Sequence, residues 1–366
     1  TEQVTAVDRK KMLAGLFNFV LPLSIMTFML VTGKTPSYAA STAIATLIVV
    51  SWVTPNKMGP KNITRALTLG VSTSVMTAIL LVAVGLINNA VTTSGVANTF
   101  ALMIAQWSQG SLLIALALVA IASLVLGMGL PVTAAYIVLS ILSAPALAGM
   151  LADSVIIERL VSGITDPGIS SVFMLVDPGL PERLAAGLSL GEARELLSTI
   201  PFDLSIALRP MLVDPVQMTG FLLTAHMIVF WLSQDSNVTP PVCLAAFTAA
   251  GIAGSKPMAT GVEAWKIANG LYIVPLMFAY TPLIGAPLPD LLRLGFFALF
   301  GIYALNTLIQ RYSEGPLRLW HYPLLVVGAM GAFYPLVWSF NVVGAVLVLF
   351  VLWHTQLYET PEKSIA

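Results

Sequence analysis

The sequence predicts an all-α polytopic membrane protein that contains a re-entrant helical hairpin and an unwound broken helix. Of its 366 residues, 57% are hydrophobic and only 9% are charged, and the mean hydropathy is +0.90. Soluble domains carry about 25% charged residues. Apolar runs that approach or exceed the roughly 18 residues needed to span a bilayer recur along the chain. They lie near 12–33, 37–54, 67–88, 112–126, 132–151, 216–235, 238–254, 264–283, 290–309, 321–339 and 340–355.

A further observation is the near-repeat of one short pattern within these apolar regions. Residues 127–136 read GMGLPVTAAY, and residues 236–247 read SNVTPPVCLAAF. Proline removes a backbone donor and clashes with the preceding turn, so a helix ends or kinks there. In hydrocarbon, the freed backbone groups are costly unless they line a cavity or meet protein partners. Two interrupted helices in matching positions indicate the ion and substrate site of a secondary transporter.

Basic residues near the span ends predict the orientation of the chain. Clusters at 9–11 and 57–65 flank the first two apolar runs, and we place both in the cytoplasm. The hairpin, formed by 112–126 and 132–151, then enters from the outside and returns to it. A model in which both arms span the bilayer has the same sidedness, so charge alone does not establish the hairpin.

Residues 152–215 differ from the rest of the chain because they are polar and acidic. They contain nine acidic residues and four basic ones, all of them arginine. Turn signals such as Asp166-Pro167-Gly168 recur, and 190–197 is predicted to form a short surface helix. We expect a solvated loop outside the membrane; the alternative is a docking surface for an extracytoplasmic partner.

The first interruption is expected to form a hairpin tip. The first arm ends at Gly127 and Gly129, where its last carbonyls have no helical partner. Pro131 suits the first turn of the second arm, whose amides point back to the same place, and Thr133 adds a hydroxyl. Carbonyl ends favour a cation and amide ends favour an anion.

The second interruption repeats that arrangement. Asp235, Ser236 and Asn237 end one half-helix, and Thr239 and Pro240 precede the next. Hard cations prefer oxygen ligands, so the candidate Na⁺ ligands are Thr133, Ser236, Asn237 and Thr239. Acids within a membrane are functional candidates by default. Asp235 is predicted to ligate the cation, to carry a proton, or to cap the half-helix from a wet cavity. A plain kink in a helix bundle is the competing interpretation.

Several classes of function are disfavoured by what the sequence lacks. The net charge is zero, whereas a nucleic-acid-binding surface is usually strongly basic. Cys243 is the single cysteine of the sequence, so no disulfide can form within the chain. The three histidines, His226, His321 and His354, lack metal-ligand spacing, and we expect His226 to be a hydrogen-bonded packing residue. No glycine-rich phosphate loop with its lysine occurs. We therefore predict neither enzyme activity nor a bound cofactor.

The chain resembles the large membrane subunit (permease) of TRAP transporters, the tripartite ATP-independent periplasmic carriers. It is most similar to the branch with fused small and large subunits that works with TAXI-type binding proteins. Residues 126–136 and 237–247 carry the resemblance, and residues 249–261 extend it. With 12–110 and 264–285, the similarity covers most of the chain.

The resemblance implies an elevator-type transporter in a bacterial or archaeal cytoplasmic (inner) membrane. An extracytoplasmic solute-binding protein would deliver a small organic anion, with Na⁺ or H⁺ as the coupling ion. Gly127, Gly129, Pro131 and Thr133 match the family's hairpin tip. Ser236, Asn237, Thr239 and Pro240 match its unwound helix.

The chain departs from the family pattern in two ways. Only one hairpin and one broken helix are found, so we expect 1–366 to be the C-terminal half of a permease, completed by an N-terminal half and a small membrane subunit. The acidic segment is also longer than expected. The predicted organisation is a scaffold-type helix pair with a cytoplasmic loop (1–66), a transport-domain helix with the hairpin (67–151), an acidic extracytoplasmic insertion (152–215), the broken helix with the next span (216–285) and C-terminal helices (286–366).

The sequence is also compatible with other functions. The main alternative is a channel, or another elevator-type carrier that works without a binding protein. A purely structural membrane subunit is a further alternative. An intramembrane enzyme would need a nucleophile–base pair, which the sequence does not offer.

Overall fold

A computed structural model describes residues 9–54, 57–127, 130, 132–200, 202–241, 243–335 and 337–357. These residues form helices, numbered in chain order, and one 3₁₀ turn at Asp235–Asn237. The helices are α1 (Arg9–Val31), α2 (Pro36–Val53), α3 (Pro60–Thr93), α4 (Val96–Ser108), α5 (Leu112–Gly127), α6 (Val132–Ser162), α7 (Pro167–Phe173), α8 (Leu180–Ala186), α9 (Leu190–Thr199), α10 (Phe202–Leu212), α11 (Pro215–Leu232), α12 (Leu244–Ala253), α13 (Pro257–Ile267), α14 (Gly270–Tyr280), α15 (Leu288–Gln310), α16 (His321–Phe333) and α17 (Trp338–Leu357).

Helices long and apolar enough to cross a membrane are present, which confirms the prediction of an all-α polytopic membrane protein. Within the described residues five qualify: Pro36–Val53, Val132–Ser162, Pro215–Asn237, Leu288–Gln310 and Trp338–Gln356. The third of these includes the 3₁₀ turn after α11. Helix α5 has 16 residues, or about 24 Å at 1.5 Å per residue, which is short for the roughly 30 Å hydrocarbon core.

The chain divides into two compact units, one up to residue 82 and one from residue 83 onward. In the first unit α1 packs against α2. Thr35 caps α2 by accepting a hydrogen bond from the Tyr38 amide, and Asn18 donates to the Thr54 hydroxyl at 3.0 Å. Large apolar side chains such as Phe28 remain exposed, as expected for a surface that contacts lipid.

The second unit has its main core among α4, α5, α6, α11 and α14. Leu139 and Leu147 of α6 and Ile228 of α11 are fully buried there. The core therefore includes Leu126 and Leu232, which lie just before the two interrupted regions. A separate cluster holds α15, α16 and α17 together, with Leu325 and Val351 at its centre.

Helix α6 is longer than the predicted hairpin arm. It has 31 residues, about 46 Å, and so exceeds the hydrocarbon thickness. The prediction ended the arm at 151 because acidic residues begin at Asp153. The buried side chains of Ile156 and Leu160 continue the apolar face instead, so the predicted boundary between 151 and 152 falls inside a helix.

The acidic segment folds into a helical module instead of a solvated loop. Helices α7 to α10 and the last turns of α6 enclose a second hydrophobic core, in which Phe173, Leu184 and Leu212 are buried. The predicted surface helix at 190–197 is present as α9. Arg209 of α10 donates to Asp153 of α6 at 3.2 Å and ties the module to that helix.

Two predicted spans are divided differently. The run 264–283 forms two helices, α13 and α14, which break at Ala268–Asn269. The side-chain amide nitrogen of Asn306, in the orientation that satisfies its hydrogen bonding, lies 3.1 Å from the Ile267 carbonyl that α13 leaves free. The run 238–254 becomes helical only at Leu244, because prolines 240 and 241 lack amide donors.

Candidate functional site

The two interrupted helices meet in the core of the second unit. Helix α5 ends at Gly127, which is buried against the 3₁₀ turn that follows α11. A Cβ atom on Gly127 would lie 2.5 Å from the Cβ of Ser236 and 2.7 Å from its Oγ. Such distances are below van der Waals contact, so only glycine permits this approach. The structure therefore brings Gly127 and Ser236 together, as the repeated pattern predicts.

Asp235 lies beside this contact and is fully buried. Both of its carboxylate oxygens lack a hydrogen-bond partner among the described residues. Its backbone carbonyl accepts from the amides of Val238 at 3.1 Å and Thr239 at 2.8 Å, so the backbone closes the turn. The structure therefore does not show the third role predicted for Asp235, in which its side chain caps the half-helix. A buried carboxylate without a partner is costly, and a bound cation or a proton would relieve that cost.

Thr239 is held by residues that the sequence analysis did not select. Its hydroxyl lies 2.7 Å from the hydroxyl of Tyr272 at the start of α14. The indole nitrogen of Trp265, on α13, donates to the same Tyr272 oxygen at 3.2 Å. The break between α13 and α14 places both aromatic residues at the tip. Neither residue was predicted from the sequence, because 264–283 forms one apolar run there.

The remaining predicted residues are distributed unevenly. Asn237 lines a cavity of about 470 Å³ with Phe230, Trp231, Gln234, Val238 and Leu271. Pro240 is half-buried near Gly261, and Thr133 is exposed on the first turn of α6. Gly129 and Pro131 lie outside the described residues. The described part of the hairpin tip thus contributes Gly127 to the contact but does not bring Thr133 into it.

His226 is a packing residue with a hydrogen bond, as predicted. Its Nδ1 lies 3.1 Å from the Tyr136 hydroxyl, which links α11 to α6 close to the tip. His321 and His354 meet elsewhere, with 3.1 Å between their ring nitrogens. Within the described residues, no three His, Cys, Asp or Glu side chains are grouped to hold a metal ion.

Comparison with known families decides what kind of protein carries this site. Residues 2–284 match the model of the family described as Tripartite ATP-independent periplasmic transporter, DctM component. The chain belongs to this family. Curated proteins and solved structures gave no match to the chain.

The DctM assignment confirms the resemblance to the TRAP large membrane subunit. It covers both interrupted helices, the acidic module and α13–α14, and it ends before α15. The family is one of membrane transporters that work with a solute-binding protein and a small membrane subunit. This DctM component is accordingly a multi-pass membrane component of a TRAP transporter.

Proposed function

We propose that this DctM component belongs to a secondary-active TRAP transporter that imports small organic anions. An ion gradient drives the import, and an extracytoplasmic solute-binding protein delivers the anion. The proposal rests on the close approach of Gly127 and Ser236 beside the buried carboxylate of Asp235. Two helix ends and an unpartnered buried carboxyl group at one place are better explained by a charged ligand than by a structural kink.

The coupling cation is proposed to bind at this contact. Asp235 supplies the negative charge, and Ser236, Asn237 and Thr239 supply neutral oxygens, which together suit Na⁺. Thr133 remains a candidate ligand from the second arm, although it is exposed in this conformation. The free amides at the start of that arm, next to Pro131 and Gly129, would favour the carboxylate of the substrate. A proton carried by Asp235 is the alternative coupling ion.

Further features of the proposal follow from the family resemblance. The chain is proposed to act in a bacterial or archaeal inner membrane, as the C-terminal half of a permease of the fused, TAXI-type branch. An N-terminal half and the small membrane subunit would complete it. Transport is proposed to follow an elevator mechanism, in which the domain that carries both tips moves relative to a scaffold.

The experiment is uptake of radiolabelled acetate, succinate and glutamate into proteoliposomes that contain the complete transporter. Uptake is measured with and without the solute-binding protein, and with an inward Na⁺ gradient, an inward H⁺ gradient or neither. We expect uptake that needs both the Na⁺ gradient and the binding protein. Uptake that needs only the H⁺ gradient would assign the coupling to a proton. Gradient-driven uptake without the binding protein would support another carrier, and uptake without any gradient would support a channel.

A further inference from the structure

Helix α5 buries a regular stripe of residues that leads to the tip. Ala115, Val119, Ser123 and Gly127 recur at four-residue intervals and are all buried. Residues four apart lie above one another on one helix face. Since Gly127 faces Ser236, Ser123 lies one turn, about 6 Å along the axis, from that contact.

The Ser123 hydroxyl is unusual because it is buried without a hydrogen bond. Ser123 is 2% exposed, and its Oγ has no partner among the described residues. Buried serines on neighbouring helices donate to a carbonyl four residues earlier: Ser143 to Leu139 and Ser233 to Val229, each at 2.7 Å. That bond is readily available to a helical serine. A buried polar group that leaves it unmade calls for an explanation.

Among the described residues of this region, three side chains carry unpartnered buried polar atoms: Ser123, Asp235 and Trp231. The Trp231 indole nitrogen can only donate and so cannot bind a cation. The other two lie on opposite sides of one contact. The Ser123 hydroxyl belongs to the α5 side, and both carboxylate oxygens of Asp235 belong to the side of the 3₁₀ turn. Hydroxyl and carboxylate oxygens are the ligands that hard cations prefer. A single cation between the two sides would satisfy the hydroxyl and the carboxylate together.

We propose that Ser123 is a further ligand of the Na⁺ that binds at the tip. This inference rests on the proposed function and adds to it a ligand from the interior of the first hairpin arm. The cation would then be held between α5 and the 3₁₀ turn, and its binding would join the two interrupted helices.

The test compares Ser123→Ala with the wild type by thermal unfolding of the complete transporter, purified in lipid nanodiscs. NaCl is titrated against choline chloride at constant ionic strength, so that only Na⁺ changes. A ligand that binds the folded state raises the unfolding temperature as its concentration exceeds its Kd. Ser143→Ala is the matched control, because Ser143 is also buried on a helix but its hydroxyl is hydrogen-bonded.

The expected result has two parts that a merely structural role would not produce together. In choline chloride, Ser123→Ala unfolds at the same temperature as the wild type or higher, because an unsatisfied buried hydroxyl has been removed. In NaCl, its apparent Na⁺ affinity is about three- to tenfold weaker than that of the wild type. This is the effect expected when one oxygen ligand, with an energy similar to that of one hydrogen bond, is lost. Ser143→Ala keeps the wild-type Na⁺ affinity.

Three results would overturn the inference. If Na⁺ does not stabilise the wild type, both the role of Ser123 and the proposed sodium site are wrong. If Na⁺ stabilises the wild type and Ser123→Ala with the same affinity, Ser123 is not a ligand, and the proposed function is unaffected. Equal weakening of Na⁺ affinity in Ser123→Ala and Ser143→Ala would show a general effect of core substitution.

Discussion

At the scale of single residues, Asp235 differs from the acidic residues that form ion pairs. Glu192 pairs with Arg183, Asp153 with Arg209 and Glu263 with Lys266, and each of these pairs is at least partly exposed. Asp235 is fully buried and has no partner among the described residues. The folded protein therefore buries a carboxyl group that no hydrogen bond from the described residues satisfies, and either a proton or a bound cation would offset its desolvation. This is the energetic basis for proposing a cation there.

Replacing Asp235 with Asn tests that charge. The substitution keeps the shape of the side chain but removes its ability to hold Na⁺. We expect Na⁺-driven anion uptake by the complete transporter to fall at least about tenfold, as the loss of about 1.4 kcal/mol implies. Thermal stability without Na⁺ should stay equal or rise, because no charge is left buried. Glu263→Gln, in an exposed ion pair, is the control. Wild-type Na⁺-driven uptake in Asp235→Asn would contradict the prediction.

Replacing Gly127 with Ala tests the close approach of the two tips. The new methyl group would lie 2.5 Å from the Cβ of Ser236, so one of the two backbones must move. We expect loss of uptake and weaker Na⁺ stabilisation in the thermal unfolding assay. Gly220→Ala on α11 is the matched control, because its methyl group would meet nothing within 4 Å. Equal uptake by Gly127→Ala and the wild type would show that the tips need not touch.

At the scale of helices, the break between α13 and α14 matters because it places Tyr272 against the unwound segment. Trp265 can only donate, so it occupies one lone pair of the Tyr272 oxygen. The second bond, between Tyr272 and Thr239, connects α14 to the tip. These two bonds fix the direction of the Thr239 side chain.

Removing the Tyr272 hydroxyl with Phe tests this support. Thr239 would lose its partner and sample other rotamers, so we expect a three- to tenfold rise in the Na⁺ concentration for half-maximal uptake, about the effect of one hydrogen bond. In a double-mutant cycle with Thr239→Val, the two effects should not add, because they act through one bond. Tyr280→Phe, near the other end of α14, is the control. Additive effects would show that Tyr272 acts independently of Thr239.

The acidic module offers a prediction about pH. Hydrogen bonds from the Ser189 side chain and backbone, and then from Arg183, lower the pKa of Glu192 to about 2. A lowered pKa gives stabilisation that is present above the unfolded-state pKa near 4.3 and is lost as pH falls through about 2. An NMR titration of the Glu192 carboxyl carbon should therefore show its midpoint well below 4, and Ser189→Ala should raise that midpoint. A normal midpoint in the wild type would show that the capping box of α9 does not form.

Helix ends could be predicted where the local sequence determines them. They were harder to predict where tertiary packing determines them. The prolines that follow Gly127 and Asp235 in the sequence indicated both interruptions, because proline acts on its own backbone. The break at Ala268–Asn269 coincides with the dipeptide Asn269-Gly270, a turn signal that was passed over because it lies inside an apolar run. Asn306 of α15, distant in sequence, lies against the same break. The core of the acidic module was likewise missed, because acidic surface residues obscured the buried Phe173 and Leu184. Ser123 carried no sequence signal, since its significance is that it lacks a partner.

At the scale of the whole molecule, α6 connects the tip to the acidic module within one unit. Its first turns follow the hairpin tip, and its last turns enter the core of the module. A binding protein that contacted this module would act on the same helix that begins at the proposed ion site. The family assignment covers this entire arrangement, from the first helix to the end of α14.

The most direct test is an electron cryomicroscopy structure of the complete transporter in lipid nanodiscs, determined in NaCl and again in choline chloride. The account predicts density between α5 and the 3₁₀ turn in NaCl only, within coordination distance of the Asp235 carboxylate, with Gly127 in contact with Ser236. Two unbroken helices at these positions, or tips that contact each other with no such density in NaCl, would contradict it.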